Sequence, residues 1–436
     1  MAEERPLGAL HVASVVIGAI IGVGIFFTPA VIARALPSPP WVLGVWALAG
    51  VASLAGALVY AELGGRYPQA GGIYVFLRDG FGPRAGPPLA FLYGWLQLLV
   101  VQPGAMAIIS VVLVEHLAFL FGPMGPVAST AASVLAIAAF TVANLLGLRT
   151  GGRIQVVMAA LKLTALALLI GLGLVFGDTA RLSAPRSVMP EGGAPSWLRA
   201  GLIPALFSFG GAYHGTYIAG SVKDPERAVP RGIAGGIFVV LAGYLLVNVA
   251  FLGLLGHDGL AASASPAAEV TAIALGPVAG SVLAAVIVVS AAGILNTVCL
   301  GFPFVVYAMA KDKLFFARAA RLDPRTGRPT LAVATQGALA CVAVVVGASR
   351  VDVLLTAIAF ADAAFQAAVA VVHLRVRRGP AAPGVLRAPF VASIVFLGLS
   401  VAIAGGALVD KPFESAWGAL VLVAGAALWI TGRVRR

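Results

Sequence analysis

Charged residues are scarce in this sequence. Only 11% of its 436 residues are Asp, Glu, Lys or Arg, whereas about a quarter are charged in a typical soluble domain. Apolar residues make up 60% of the chain, and runs of about twenty residues, each long enough to cross a bilayer as a helix, recur from end to end. The composition excludes a soluble fold. It also excludes a transmembrane β-barrel, which would show segments of about ten residues of alternating polarity.

Cysteine and histidine are also rare. The two cysteines, Cys299 and Cys341, both lie inside apolar runs, so we expect packed thiols rather than a disulfide in an external loop. The five histidines show no metal-ligand spacing, and the chain has neither a Ser/His/Asp set nor a phosphate-binding loop motif. We therefore expect no enzyme, no ATP-driven pump, no metal and no cofactor.

Twelve apolar runs are long enough to span a membrane. The predicted spans, numbered 1 to 12, are 10–33, 41–65, 88–120, 127–148, 154–176, 200–221, 232–256, 277–309, 330–348, 353–374, 388–409 and 416–432. The first run lacks a strongly basic leader and a convincing cleavage site, so span 1 is expected to remain in the protein. The sequence predicts an all-α polytopic membrane protein, with one transmembrane domain over 1–436.

Basic residues outnumber acidic ones by 29 to 17, giving a net charge of +12. Most of them fall in alternate loops on the side of the N-terminus; one such loop contains Lys311, Lys313, Arg318, Arg321, Arg325 and Arg328. Because loops rich in Lys and Arg stay in the cytoplasm, we predict an inner-membrane protein with both termini cytoplasmic. The charge is then explained by topology and by contact with the anionic lipid bilayer, and we expect no nucleic-acid partner.

Two spans contain an internal interruption. Span 1 reads GAIIGVGIFFTP over 18–29, with Gly22 and Gly24 near mid-span, and span 6 reads ALFSFGGAYHG over 205–215, with Gly210 next to a second glycine. Glycine is unfavourable inside a helix but suits a segment that unwinds. These two places are therefore where a transport site is expected.

An unwound segment offers free N–H groups and the positive end of the following half-helix to a carboxylate, and free C=O groups to an ammonium. A zwitterion fits this pair of ends. Such a break persists in a membrane only where it lines a cavity, because unpaired backbone groups in hydrocarbon are costly. The alternative for Gly18 and Gly22 is close helix packing, since they have small-xxx-small spacing. A dinucleotide-binding motif is excluded because no βαβ context surrounds these glycines.

Six segments resemble the amino acid, polyamine and organocation superfamily, and within it the L-type and bacterial amino-acid transporters. They are GAIIGVGIFFTP, YAELGGRYPQAGGIYVFLRDGFGP, FLYGWLQLLVVQPGAMA, NLLGLRTGGRIQVVMAALKLTALAL, VKDPERAVPRGI and ILNTVCLGFPFVVYAMAKDKLF, in the family's order. The resemblance implies a five-plus-five inverted repeat, with 10–176 and 200–374 as its halves and 388–432 as two peripheral helices. The site would lie between the broken spans 1 and 6.

The resemblance also implies roles for individual residues. The substrate carboxylate would meet the amides of Val23 and Gly24 beside Gly22, and its amine the carbonyls of Ile20, Phe207 and Gly210. Phe207 would also be the aromatic gate, unless it is an ordinary core ring. Further pocket candidates are Ser208, Tyr213 and Ile294. Val23 departs from the serine common in the family, so a hydroxyl contact is lost while backbone contacts are expected to survive.

Lys162 places a charge in the middle of span 5, which costs about 3 kcal/mol on insertion scales. Its side chain is too far from an interface to reach it, which disfavours a snorkelling lysine. In relatives that this chain resembles, a lysine here occupies the cation position of sodium-coupled transporters and ties span 5 to span 1. The resemblance thus implies sodium independence, with exchange if the proton stays on Lys162 and proton symport if it cycles.

Three other polar residues lie in or near spans. Asp362 in span 10 is either a cavity residue or a structurally paired acid. Asn296 in span 8 either faces the pocket or bonds across helices, and we favour the second. Glu62 lies near a predicted span end, where solvation at the interface would account for it.

These features predict a transporter of small neutral amino acids. Exchange is the first choice and proton symport the second. Asp362 leaves a cationic amino acid or polyamine open, and a non-transporting amino-acid sensor remains an alternative. The loop over 121–126 contains no cysteine, and the disulfide-tethered eukaryotic relatives carry theirs here, so no disulfide-linked partner subunit is expected.

Overall fold

A computed structural model describes residues 5–22, 24–183, 193–347, 351–380, 384–410 and 412–431. The described chain is helical throughout, apart from turns, loops and a parallel bridge between Leu7 and Val222. In this bridge the Leu7 N–H donates to the Ser221 carbonyl at 3.2 Å, and the Lys223 N–H donates to the Leu7 carbonyl at 2.8 Å. The segment before the first helix is thereby tied to the linker near residue 222.

Eighteen α-helices, labelled α1 to α18, occur in the described residues. In chain order they are Ala9–Ile20, Gly24–Ala35, Pro39–Arg66, Ile73–Gly80, Gly82–Leu96, Gln102–Phe121, Pro126–Leu145, Leu148–Phe176, Ala194–Ser208, His214–Tyr217, Pro225–Ala262, Pro266–Leu275, Ala279–Gly301, Pro303–Lys311, Thr330–Gly347, Val351–Val376, Phe390–Asp410 and Pro412–Ile430. A π-helical turn, Gln97–Val101, joins α5 to α6.

Six helical stretches of the described chain are long and apolar enough to cross a membrane. They are Pro39–Arg66, Gly82–Phe121, Pro126–Leu145, Leu148–Phe176, Pro225–Ala262 and Ala279–Lys311. The pair α1 and α2 makes a seventh if it is counted as one span, and three shorter apolar helices follow later in the chain. The prediction of an all-helical multi-pass membrane protein is confirmed, while the count of twelve spans and the inverted repeat stay predictions.

Large apolar side chains cover much of the outer surface. Leu135, Leu168, Leu174 and Val345 each expose more than half of their area. A soluble monomer rarely shows such extended apolar surface. This apolar surface is suited to contact with the acyl chains of a bilayer.

Helix packing divides most of the chain into two groups. In the first, α11 packs against α1, α2 and α3, and α9 packs against α2 and α3. In the second, α13 and α15 both pack against α6 and α7. α8 lies between the groups because it contacts α1 and α11 as well as α13, and α17 and α18 pack on α16, α3 and α5.

Three predicted spans are divided in the structure. α1 ends at Ile20 and α2 begins at Gly24, with a bend of 48° between them. α9 ends at Ser208 and the short α10 begins at His214. The span predicted as continuous over 277–309 is also divided, at Phe302, because Pro303 has no N–H to donate to the carbonyl four residues earlier.

Candidate functional site

Two interruptions lie side by side: the first interruption follows the end of α1 at Ile20, and the second interruption (209–213) follows the end of α9. A β-carbon added at Gly211 would lie 3.0 Å from Cβ of Ala19, and one added at Gly24 would lie 3.6 Å from Oγ of Ser208. Gly211 has φ +116°, a left-handed conformation that side chains rarely adopt. Glycine at this position therefore lets the second interruption turn directly against α1.

The interruptions retain accessible surface inside a chain whose neighbouring residues are buried. Gly24 and Gly210 are exposed, and the side chain of Phe207 is 71% exposed. Ile20, by contrast, is buried. An open space thus borders the start of α2 and the end of α9.

Lys162 of α8 reaches the C-terminal end of α1. Its ammonium group donates to the Gly18 carbonyl at 2.8 Å and to the Ile21 carbonyl at 2.6 Å, and the residue is 2% exposed. Carbonyls at the end of a helix lack intrahelical donors and carry the negative end of the helix dipole. Both effects favour a positive charge on the Lys162 nitrogen, which has no carboxylate partner among the described residues, whereas burial opposes that charge.

Two further side chains hold the first interruption. The Tyr244 hydroxyl of α11 donates to the Ile20 carbonyl at 3.0 Å and faces the Gly22 N–H. The Ser290 hydroxyl of α13 donates to the Ile21 carbonyl at 3.1 Å. Helices from both packing groups, together with α8, therefore fix the end of α1. The N–H groups in the first turn of α2 have no intrahelical acceptors and remain available.

A buried amide network lies about one helical turn away. Asn296 of α13 donates to the Gln155 side-chain oxygen at 2.8 Å and to the Gly151 carbonyl at 3.1 Å, and it accepts from Asn144 at 3.0 Å. Gln155 in turn donates to the Ser14 carbonyl at 3.0 Å. A β-carbon at Gly18 would lie 1.8 Å from the Gln155 nitrogen. Asn296 therefore bonds across helices, and Gly18 serves close packing.

The structure brings most of the remaining predicted site residues to the two interruptions. Ile294 lies next to Gly22, with its Cδ1 3.2 Å from a β-carbon added there. The Phe207 carbonyl accepts from the Gly210 N–H at 3.1 Å, and the Tyr213 ring stacks on His214 at 4.5 Å. Val23 lies outside the described residues.

Asp362 of α16 lies beyond Tyr213 rather than beside α1. Its carboxylate accepts from Gln97 at 3.1 Å and from Gln366 at 2.6 Å, and the Tyr213 hydroxyl is the third polar group on it. Tyr213 is therefore the residue that connects the second interruption to this acid.

The interpretation of Glu62 as a solvated residue at a span end is wrong. Glu62 is fully buried, and its carboxylate accepts from the His373 ring at 2.9 Å, the Ala388 N–H at 2.7 Å and the Arg66 guanidinium at 2.8 Å. α3 extends to Arg66, one residue beyond the predicted end, and α16 and the segment before α17 cover this part of it. A sequence pattern does not show which helices cover a span end.

A polar cavity of about 1090 Å³ lies at the ends of α4, α8 and α14. Basic side chains line much of it: Arg5, Arg78, Arg149, Arg153, Lys311 and Arg325. The same cavity is bordered by Pro6, directly before the bridge residue Leu7. Its lining contains none of the predicted site residues, so it is a separate compartment on the N-terminal side of α1.

Two polar groups at the first interruption, Tyr244 and Ser290, were not predicted from the sequence, and neither was Gln155 of the adjacent amide network. The available signal was weak, because single Tyr, Ser or Gln residues inside spans are common and usually bond across helices. Their register relative to the interruption depends on how α8, α11 and α13 pack.

Interrupted helices that face each other inside a multi-pass membrane protein are characteristic of secondary transporters. The family model described as amino acid permease matches residues 7–430. The chain belongs to this family, which is part of the superfamily that the motifs resemble. It is accordingly a multi-pass amino-acid transporter rather than an enzyme.

Several curated proteins are similar to this chain. The serine/threonine exchanger SteT of Bacillus subtilis (strain 168) is 28% identical over 429 residues, 97% of this chain and 95% of that protein. The b(0,+)-type amino acid transporter 1 of Mus musculus is 29% identical over 354 residues, 79% of this chain and 70% of that protein. The cystine/glutamate transporter of Homo sapiens is 29% identical over 263 residues, 59% of this chain and 51% of that protein.

Gly211→Ala is expected to impair both stability and transport. A left-handed backbone costs a residue with a side chain about 1 to 2 kcal/mol, and the added methyl group would press on Ala19. Gly210→Ala is the matched control, because its added β-carbon meets only the Phe207 carbonyl, at 3.3 Å. Thermal unfolding of both variants in detergent gives the comparison of stability, and uptake by Gly211→Ala is compared with the wild type. Equal melting temperatures would contradict the expected strain at Gly211.

Proposed function

We propose that this protein exchanges small neutral amino acids across the cell inner membrane by alternating access, without sodium. The observation that carries the proposal is the Lys162 ammonium group, bound to the Gly18 and Ile21 carbonyls where α1 ends. It supplies a built-in positive charge directly beside the unwound backbone. No external cation is then needed to stabilise the end of α1.

The substrate is bound mainly by backbone groups. Its carboxylate meets the amides of Val23 and Gly24 at the positive end of α2, and its amine meets the carbonyls of Ile20, Phe207 and Gly210. The adjacency of Gly24 to Ser208 supports this arrangement, because it places both interruptions within reach of one small zwitterion. Both ends of the amino acid are therefore recognised without a charged side chain in direct contact.

The side-chain pocket favours small neutral substrates. Ser208, Ile294 and Tyr213 surround it, and none of them carries a charge at neutral pH. Ile294 already lies close to Gly22, which limits the size of the substrate side chain. The similarity to a protein named as a serine/threonine exchanger, over nearly the full length of both chains, supports the same size class.

Sodium independence follows from the charge on Lys162. The Ile21 carbonyl and the Ser290 hydroxyl are oxygen ligands of the kind that sodium uses, but the ammonium group lies 2.6 Å from that carbonyl. A second cation at the same oxygens would be repelled strongly in a buried site. The lysine therefore replaces a coupling ion.

Alternating access would move one packing group against the other. Each group contains helices from both of the proposed inverted repeats, 10–176 and 200–374. In this proposal 388–432 remains peripheral, and Phe207 closes the site from outside. The basic lining of the polar cavity supports a cytoplasmic position for that end of the molecule and for both termini. The cavity then lies on the cytoplasmic side of the substrate site.

Proteoliposomes test this function directly. Labelled serine or threonine is expected to accumulate only when the vesicles contain an unlabelled neutral amino acid, and replacing sodium with choline is expected to leave the rate unchanged. Protein-free vesicles and labelled arginine are the controls. Sodium-dependent uptake would contradict the role given to Lys162.

Other results of the same assay would favour other functions. Accumulation in empty vesicles driven by a pH gradient would indicate proton symport. Preferred uptake of arginine or a polyamine would indicate a cationic substrate. Binding without any uptake would indicate a sensor. The absence of cysteine over 121–126 supports a transporter that works without a disulfide-linked partner.

A further inference from the structure

Asp362 is only partly exposed, and its carboxylate has no cationic partner among the described residues. Gln97 and Gln366 donate to its two oxygens, at 3.1 and 2.6 Å, and the Tyr213 hydroxyl faces the same group. Within the described ranges no lysine, arginine or histidine bonds to it. Removing a carboxylate even partly from water is costly unless a cation neutralises it.

The titratable groups that surround Asp362 are tyrosines. Its carboxylate interacts electrostatically with four tyrosines: Tyr60 of α3, Tyr93 of α5, Tyr213, and Tyr217 of α10. On α16 itself, His373 is three turns away and bonds Glu62 and Ser393. Of the charged residues of α4, Arg78 and Asp79 pair with each other, and Arg78 also pairs with Asp312. On α6, Glu115 and His116 lie near the far end.

One of these tyrosines has an unused hydroxyl group. Tyr60 is 3% exposed, and its hydroxyl oxygen has no hydrogen-bond partner among the described residues. An unpaired buried hydroxyl is destabilising. The charge of Asp362 reaches this hydroxyl, so the cluster contains a donor that the described hydrogen bonds leave unused.

A proton fits this cluster better than a larger cation. Both carboxylate oxygens already accept hydrogen bonds from amide groups, so a metal ion or a substrate ammonium would have to displace those donors. A proton needs no extra volume. It converts one oxygen from acceptor to donor, and the neighbouring hydroxyls can reverse direction in response because each is both a donor and an acceptor.

We propose that Asp362 is a proton-binding site that makes the rate of amino-acid exchange depend on pH through Tyr213. The proposal rests on the proposed exchange function. Tyr213 ends the second interruption, two residues after Gly211, and its ring packs on His214 and Tyr217. Its hydroxyl faces Asp362, so a change in the protonation state of that carboxylate acts on the segment that borders the substrate.

The Asp362→Asn variant tests the proposal, because asparagine has the shape of a protonated aspartic acid and cannot ionise. Exchange is measured with equal pH on both sides of the vesicle, between about pH 5 and about pH 8. We expect the wild-type rate to change by about fivefold or more over this range. The variant is expected to show, at every pH, a rate close to the wild-type rate at the acidic limit.

Asp178→Asn is the matched control, since it removes the same charge from an exposed loop. Its pH profile is expected to coincide with that of the wild type. An Asp362→Asn profile that also coincides with the wild type would overturn the proposal, as would a flat wild-type profile. A wild type that does not exchange at any pH would instead contradict the proposed function.

If the Asp362→Asn variant folds but does not transport, a binding measurement replaces the exchange assay. Binding of labelled serine to the purified protein in detergent is then compared with the wild type over the same pH range. Wild-type affinity that varies with pH beside constant affinity in the variant supports the proton site. Parallel variation in both proteins overturns it.

Discussion

Replacing Lys162 with methionine is expected to abolish amino-acid exchange while the protein still inserts in the membrane. Methionine keeps the length and packing of the side chain but removes the donors to the Gly18 and Ile21 carbonyls. Each hydrogen bond from a charged group contributes about 1.5 to 3 kcal/mol, so the loss of both is expected to slow transport about a hundredfold or more. Counterflow of labelled serine in proteoliposomes measures this.

Lys223→Met is the control for this experiment. Lys223 is exposed, and only its backbone N–H takes part in the bridge to Leu7. Its replacement is expected to leave exchange close to wild type. If correctly inserted Lys162→Met exchanged at the wild-type rate, the lysine would have no part in transport.

Replacing Arg328 with methionine is expected to destabilise the fold. Arg328 is fully buried, and its guanidinium donates to the Cys299 carbonyl at 2.6 Å and to the Leu300 carbonyl at 2.8 Å. Pro303 leaves the Cys299 carbonyl without a helical donor. Two unsatisfied buried carbonyls cost about 2 to 6 kcal/mol together.

Arg325→Met in the same loop provides the comparison, because Arg325 is exposed. Its backbone N–H, with that of Thr326, holds the pKa of Asp323 below its usual range, and this contact survives the substitution. Thermal unfolding in detergent is the measurement. We expect a clear drop in melting temperature for Arg328→Met and almost none for Arg325→Met; equal drops would mean that the buried guanidinium adds no stability.

The interruptions and Lys162 could be predicted from the sequence because each breaks a strong pattern. Paired glycines inside apolar runs and one charge among apolar residues stand out without knowledge of packing. Family resemblance then supplied the site assignments, which stay predictions. The helical multi-pass fold is confirmed, because hydrophobic length is a property of each span alone.

What could not be predicted depends on contacts between distant segments. Arg328 belongs to a loop rich in basic residues and was grouped with them, yet it is buried under α13 and α14. Glu62 lies at a helix end that α16 and the segment before α17 cover. Tyr244 is one aromatic residue among many until α11 is placed against the end of α1. Each case requires knowledge of which helix is the neighbour.

The bridge between Leu7 and the linker near residue 222 has an energetic consequence for the transport cycle. It consists of two main-chain hydrogen bonds, with a combined net contribution of about 1 to 3 kcal/mol. A free energy of this size favours the state with the bridge formed over the state with the bridge broken by about 5-fold to 150-fold. Thermal motion is therefore sufficient to break these two hydrogen bonds in every transport cycle. Because only main-chain atoms form it, its strength depends little on the identity of the side chains at these positions.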